Sequence, residues 1–124
     1  MQRTRTSRLI FVVSQIKEIS LKYHHLGIPT TEVRPEETYL EKYKFFCTDH
    51  ESNPYGIQWM RFEKDCPLPL IVQTVPHVAF AVENLEQALV GHEILIEPNS
   101  PSMGVRVAFV LVDGVPVEFL EYEE

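Results

Sequence analysis

Positive charge, cysteine and long apolar runs are all scarce in this chain of 124 residues. Its 11 lysines and arginines face 18 aspartates and glutamates, a net charge of −7. That balance repels phosphate backbones and anionic membrane surfaces, so neither nucleic acid nor a membrane is expected as a partner. No stretch approaches the length of about 20 apolar residues that a membrane span needs. Cys47 and Cys66 are too few for a disulfide framework and form no CxxC pair, so a reduced, cytoplasmic setting is expected.

The length is that of one compact domain. Residues 1–20 are treated as an N-terminal extension, either an extra strand or helix or a mobile arm, with no functional weight. Its apolar run, Leu9 to Val13, is shorter than the roughly 7–15 residues of a signal-peptide core. A secretory leader is therefore not expected.

A proline-rich connector, residues 66–76, divides the rest of the chain into two modules. In the second, residues 77–124, the pattern predicts strand, short helix, strand, strand, strand. Asn84 caps the helix, Pro98 to Pro101 form a turn, and Asp113-Gly114 joins the last two strands as a hairpin.

The first module, residues 21–65, is a shortened version of the same order, with a short helix expected from Pro35 to about Tyr43. The segment His25 to Ile28 matches His77 to Phe80, and Gly56 to Met60 matches Pro116 to Leu120. Internal similarity of this kind indicates a duplicated supersecondary unit.

The segments HLGI, PHVAFAVENLEQAL, GVRVAFVLVDG and PVEFLEY resemble the glyoxalase, bleomycin-resistance and extradiol dioxygenase superfamily, also called vicinal oxygen chelate proteins. The resemblance covers roughly residues 21–122 and is stronger in the second module. It implies an α+β fold in which two βαβββ-type modules, the first one shortened, form a curved mixed sheet around a central pocket.

The resemblance also implies a metal site. In metal-dependent members the ligands come from the first and last strands of each module. Those positions are occupied here by His25 and Gln58 in the first module and by His77 and Glu118 in the second. Glu118 is also the expected catalytic residue, whereas Gln58 departs from the glutamate that is common at its place.

Strand periodicity tests independently whether these side chains can meet. Successive side chains alternate between the two faces of a strand. His77 therefore shares a face with Ala79 and Ala81, while Val78 and Phe80 point to the other face, where a helix would bury them. The same count places Met60 beside Gln58 and Tyr122 beside Glu118, as candidate substrate-binding residues. Arg106 is a third candidate, as an anchor for an anionic substrate group.

Two imidazoles and a carboxylate suit a divalent transition metal such as Zn, Ni, Mn or Fe(II). With Gln58 as a fourth ligand the set resembles that of the lyase and isomerase members. Without it, the set is the two-histidine, one-carboxylate triad of non-haem Fe(II) oxygenases. The residues alone leave both open, beside the plainer interpretation that each histidine is a hydrogen-bonded structural residue.

We therefore expect a metal-dependent enzyme, a lyase, isomerase or dioxygenase, that acts on a small oxygenated substrate. The alternative is a metal-free small-molecule binding protein of the bleomycin-resistance type. Because paired modules leave sheet edges exposed, a homodimer is expected.

Overall fold

The computed structural model of the protein describes residues 20–123, which form a curled, eight-stranded mixed sheet with two short α-helices. This confirms an α+β fold with a curved sheet. Of the expected N-terminal extension, residues 1–19 lie outside the described residues. The strands are β1 (Lys22–Pro29), β2 (Thr38–Leu40), β3 (Phe45–Cys47), β4 (Ile57–Phe62), β5 (His77–Ala81), β6 (Glu93–Ser102), β7 (Val105–Val112) and β8 (Val115–Tyr122); the helices are α1 (Leu70–Thr74) and α2 (Leu85–Leu89), with a 3₁₀ turn at His50–Ser52.

The sheet has the strand order β2-β3-β4-β1-β5-β8-β7-β6. At its centre β1 runs antiparallel to β5, while β1 is parallel to β4 and β5 is parallel to β8. The remaining neighbours are antiparallel. The first strand of each half therefore lies at the middle of the sheet, next to the last strand of its own half.

The convex core lies where the apolar face of β5 predicted it. Leu85, Ala88 and Leu89 recur at the spacing of one helix face, and α2 packs them against the buried side chains of Val110 and Phe119. Asn84 caps this helix, because its side chain accepts a hydrogen bond from the backbone N–H of Gln87. The opposite face of the central strands is thereby left to face the hollow of the curled sheet.

The helix expected from Pro35 to Tyr43 is wrong. Pro35 and Glu36 form a turn, and the chain then enters β2, which pairs with β3. Tyr39 lies opposite Phe46 in that pairing, with the two ring centroids 4.6 Å apart. Cross-strand aromatic contacts of this kind stabilise a sheet, and a short polar segment offers a helix no comparable apolar face.

Two other boundaries differ from expectation. Strand β6 continues through the expected turn at Pro98 to Pro101, with three shifts of register against β7 that absorb the irregular segment. The proline-rich connector contains α1, whose Val72 is fully buried. The Asp113-Gly114 hairpin is confirmed, because both residues have the positive φ angles, 49° and 83°, that this tight turn requires.

Across residues 20–123, no helix has the length and apolar character needed to cross a membrane.

Candidate metal centre

His25 and Glu118 meet above a small residue. His25 on β1 lies opposite Ala79 on β5, and Ala79 lies opposite Glu118 on β8. The outer strands of this row are separated by two strand spacings, about 9.6 Å. Because Ala79 has only a methyl side chain, the imidazole and the carboxylate can lean toward each other over it.

His77 is placed by a second row of the same kind. Gly27 on β1 lies opposite both Gln58 on β4 and His77 on β5. A Cβ atom on Gly27 would lie 2.1 Å from the Cε1 atom of the His77 ring. Glycine is therefore required at position 27, because the imidazole occupies the space of any larger side chain.

Together the two rows bring three polar atoms to one point. Glu118 Oε1 lies 3.1 Å from Nε2 of His25 and 3.1 Å from Nε2 of His77, and the two Nε2 atoms are 3.3 Å apart. All three side chains are buried. Among residues 20–123, this is the group of histidine, cysteine and acidic side chains whose ligand atoms are close enough to share a metal ion.

The charge of Glu118 is stabilised inside the protein. Burial opposes ionisation of this carboxyl, but hydrogen bonds with His25 and His77 outweigh burial and hold its pKa well below the usual range. The carboxylate is thus ionised at neutral pH. An ionised oxygen flanked by two imidazole nitrogens is a typical donor set for a divalent transition metal.

Packing fixes the orientation of His77. Its ring lies edge-on to Phe109, with centroids 4.9 Å apart, and over Gly27. Its second nitrogen, Nδ1, is buried without a hydrogen-bond partner in the described part of the chain. The direction of Nε2 therefore depends on the shape of the surrounding core.

A cavity of about 330 Å³ opens onto the site. This volume lies at the small end of the range for ligand pockets. His25 and Glu118 line the cavity, whereas His77 is buried and does not line it. The other lining residues include Leu40, Tyr43, Phe45, Cys47, Gln58, Met60, Val72, Ile96, Asn99, Val105, Val107, Phe109, Leu120 and Tyr122.

His24 also faces this cavity, contrary to strict alternation. The pairing of β1 with β5 shifts by one residue between Tyr23 and His25, which is a β-bulge. A bulge re-aims a side chain, and here it turns His24 toward the same side as His25. Nδ1 of His24 lies 2.7 Å from Nδ1 of His25, and its Nε2 lies 2.6 Å from the hydroxyl of Tyr122.

The environment of His24 keeps its ring neutral. Burial, followed by the nearby His25 and His50, lowers the pKa of His24 to about 4. The ring of His50 lies 4.2 Å from that of His24 between centroids, and His50 also lines the cavity. Strict alternation along β1 would place His24 on the face opposite His25, and no local pattern marks His50 as a cavity residue. The adjacent pair of histidines, His24 and His25, was the available signal.

Three other candidate residues from the sequence line the cavity: Gln58, Met60 and Tyr122. The Gln58 amide donates through Nε2 to the carbonyl oxygen of Thr48 at 3.1 Å. Within residues 20–123 its Oε1 atom makes no hydrogen bond, so the oxygen remains available to a ligand.

The expectation that Arg106 points into the pocket is wrong. Val105 and Val107, its neighbours on β7, line the cavity, so alternation turns Arg106 to the convex face. There its guanidinium binds the carboxylates of Glu86 on α2 and Glu121 on β8. Arg106 therefore joins α2 to the sheet.

No family model matches the chain, and no curated protein matches it. Among solved structures, the chain is similar to the hypothetical protein BH1468 from Bacillus halodurans C-125. The two share 21% sequence identity with a TM-score of 0.67, and the match covers 85% of this chain and 96% of that one. At this identity the likeness concerns the fold alone.

Proposed function

We propose that the protein is a metal-dependent enzyme in which His25, His77 and Glu118 hold a divalent metal ion. The observation that carries the proposal is the buried triangle of two imidazole nitrogens and one carboxylate oxygen, with sides of 3.1, 3.1 and 3.3 Å. The adjoining cavity would hold a small oxygenated substrate.

The size of this triangle fits a transition metal. With metal–ligand bonds of about 2.1 Å, two ligands lie about 3.0 Å apart in octahedral and about 3.4 Å apart in tetrahedral coordination. The observed separations lie between those values. Zn, Ni, Mn and Fe(II) all accept this donor set, so the identity of the metal is left to measurement.

A bound metal would act as a Lewis acid on substrate oxygen atoms. The chain contributes the remaining parts. Glu118 supplies the anionic ligand and is the proposed catalytic residue, while the ring of His24 hydrogen-bonds Nδ1 of His25 and fixes the direction of its other nitrogen. The apolar walls limit access of water.

The arrangement of the strands supports membership in the glyoxalase and extradiol dioxygenase superfamily. Each half of the sheet has its first strand beside its last, followed by its third and second, as β1-β4-β3-β2 and β5-β8-β7-β6. We interpret the halves as two βαβββ-type modules, of which the first has no helix among its described residues.

Whether Gln58 binds the metal distinguishes the two classes of reaction within this proposal. If its Oε1 binds the metal, four protein ligands resemble those of the lyases and isomerases. If it binds only substrate, three ligands leave more positions open, as in ring-cleaving dioxygenases. Metal affinity, measured by competition with a chelating dye, should fall in Gln58→Ala in the first case and stay at the wild-type value in the second.

Metal analysis tests the proposal directly. Protein purified without a histidine tag and reloaded with Zn, Ni, Mn or Fe(II) should retain about one ion per chain, because three buried donors converge. His77→Ala and Glu118→Gln should lower retention at least about tenfold. His92→Ala is the matched control, because His92 is exposed and does not line the cavity.

A different result would favour the alternative function. If wild type retains none of these metals and none raises its melting temperature, the enzyme proposal is contradicted. The apolar cavity would then support a metal-free binding protein. If metal is retained, oxygen consumption with catechols after Fe(II) loading, beside a hemithioacetal isomerisation assay after Ni or Zn loading, separates the reaction classes.

A further inference from the structure

Within residues 20–123, the cavity contains no cationic partner for a substrate. None of the lysines and arginines in residues 20–123 lines it. Arg61 is engaged by both oxygens of Glu37, and Lys44 binds Asp65 at 2.6 Å, outside the cavity. Arg106 lies on the convex face. An anionic group on a ligand would therefore lose its hydration without gaining an opposite charge, which is costly.

The cavity offers no unpaired acidic partner either. Glu118 is the acidic residue that lines it, and its Oε1 already contacts both His25 and His77. The ring nitrogens of His24 are engaged by His25 and Tyr122. Nδ1 of His50 lies 3.5 Å from Oδ1 of Asp49. This carboxylate would balance a positive charge on the His50 ring.

The rest of the cavity wall is mainly apolar and carries a few neutral polar groups. Phe45, Met60, Val107, Phe109 and Leu120 line the cavity and are buried or nearly so. Apart from the three histidines and Glu118, the polar lining consists of amides, hydroxyls and a thiol. The pKa of the Cys47 thiol is raised to about 11, chiefly by burial, so that this group is also uncharged at neutral pH.

We infer that the part of the ligand away from the metal-binding atoms is uncharged and mainly apolar, with the size of a substituted aromatic ring. This inference rests on the proposed function in taking the ligand to be the substrate of the metal site. It excludes substrates whose body carries carboxylates or phosphates. The metal would supply the site's positive charge, and the cavity wall would select for an apolar body.

Two probes of matched shape test this in metal-free protein. p-Cresol and 4-hydroxybenzoate share a ring and a hydroxyl and differ in a methyl against a carboxylate. Titrations followed by amide chemical shifts should show p-cresol perturbing β1, β4, β7 and β8, whose residues line the cavity. 4-Hydroxybenzoate should bind at least tenfold more weakly. Chelating the metal prevents the carboxylate from binding the ion, so the result does not depend on whether the metal proposal holds.

A variant that adds a positive charge to the cavity lining provides a second test. Leu40→Lys adds a cation at a partly buried lining position, where the long side chain can reach the cavity mouth. It should tighten binding of 4-hydroxybenzoate at least fivefold. Leu70→Lys, the same change at an exposed residue outside the lining, should not. Equal or tighter binding of 4-hydroxybenzoate by wild type would overturn the inference, as would failure of p-cresol to bind up to its solubility limit.

Discussion

At the scale of single residues, the site depends on two small residues as much as on its polar side chains. Gly27 and Ala79 occupy the middle of the two rows that bring the polar groups together. Because strand neighbours are about 4.8 Å apart, a larger residue at either position would separate the groups on its two sides. The small residues are therefore part of the site.

Gly27→Ala should displace the His77 ring, because the new methyl would overlap it at 2.1 Å. We expect metal retention to fall at least about tenfold and stability to fall by about 1–3 kcal/mol, as in other overpacked cores. Unfolding in urea and metal analysis measure the two effects.

A double-mutant cycle identifies the cause. In the Gly27→Ala, His77→Ala double variant the methyl has space, so the cost of Gly27→Ala should largely disappear. An unchanged cost would mean that position 27 matters for another reason, such as backbone conformation.

His24 offers a second prediction at this scale. Its Nδ1 is 2.7 Å from Nδ1 of His25, and a partner on the far nitrogen orients a metal-binding imidazole. His24→Phe keeps a ring beside His50 but removes the acceptor, and should weaken metal binding about 10–100-fold.

His24→Asn is the rescue variant, because its side-chain oxygen can take the place of Nδ1 as the acceptor. It should retain most of the wild-type affinity, measured by competition with a chelating dye. If His24→Phe binds metal as tightly as wild type while His24→Asn does not, the ring acts only through packing, and the positioning role is excluded.

At the scale of elements, the strand β6 reaches across to the other half of the molecule. The Tyr43 hydroxyl, between β2 and β3, donates to Oδ1 of Asn99 on β6 at 2.6 Å. Since β2 and β6 are the two edges of the sheet, this bond joins opposite edges beside the cavity. The same strand carries three register shifts, so its pairing with β7 is interrupted and the bond supplies a further constraint.

Tyr43→Phe should therefore loosen β6 more than it destabilises the whole protein. Loss of one hydrogen bond costs about 1 kcal/mol. Amide exchange should accelerate in Glu93–Ser102 while β5 and β8 stay protected. Tyr39→Phe is the control, because its exposed hydroxyl bonds Glu63 on the other side of β2 from the cavity. Equal acceleration in both variants would contradict a specific role for the Tyr43–Asn99 bond.

At the scale of the whole molecule, both edge strands of the sheet have features that hinder pairing with another strand. Strand β2 has three residues, and β6 carries Pro98 and Pro101 together with its register shifts. Short edge strands, prolines and bulges all hinder edge-to-edge pairing. The edges of this sheet are therefore protected within one chain, and they do not by themselves require a dimer.

The homodimer expected from the sequence stays a prediction, and the irregular edge predicts that it would form without strand addition at β6. The mass of one chain is 14.4 kDa, and sedimentation equilibrium at micromolar concentration should give twice that mass. Amide protection of β6 should be the same in dilute and concentrated samples. A monomer throughout would refute the dimer, and protection that rises with concentration would show that the β6 edge is used.

The sequence by itself determined which side chains share a face in regular strands such as β5 and β8. The two-residue period of HVAFA and VPVEFLEY placed His77 with the alanines and Glu118 with Leu120, because alternation is a local property of an extended backbone. The Asn84 cap and the Asp113-Gly114 turn follow equally local rules. The curved sheet that brings the strands together was implied by the resemblance of these segments to a known superfamily.

Only the tertiary structure decided how those faces combine. The bulge that turns His24 inward depends on the pairing of β1 with β5, and the face of Arg106 depends on which side of β7 meets the cavity. The helix expected near Pro35 gave way to β2 because a partner strand offered an aromatic contact. Register and partner choice join residues far apart in the chain, so local pattern could predict the faces of single strands and not the shape of the cavity that the strands form together.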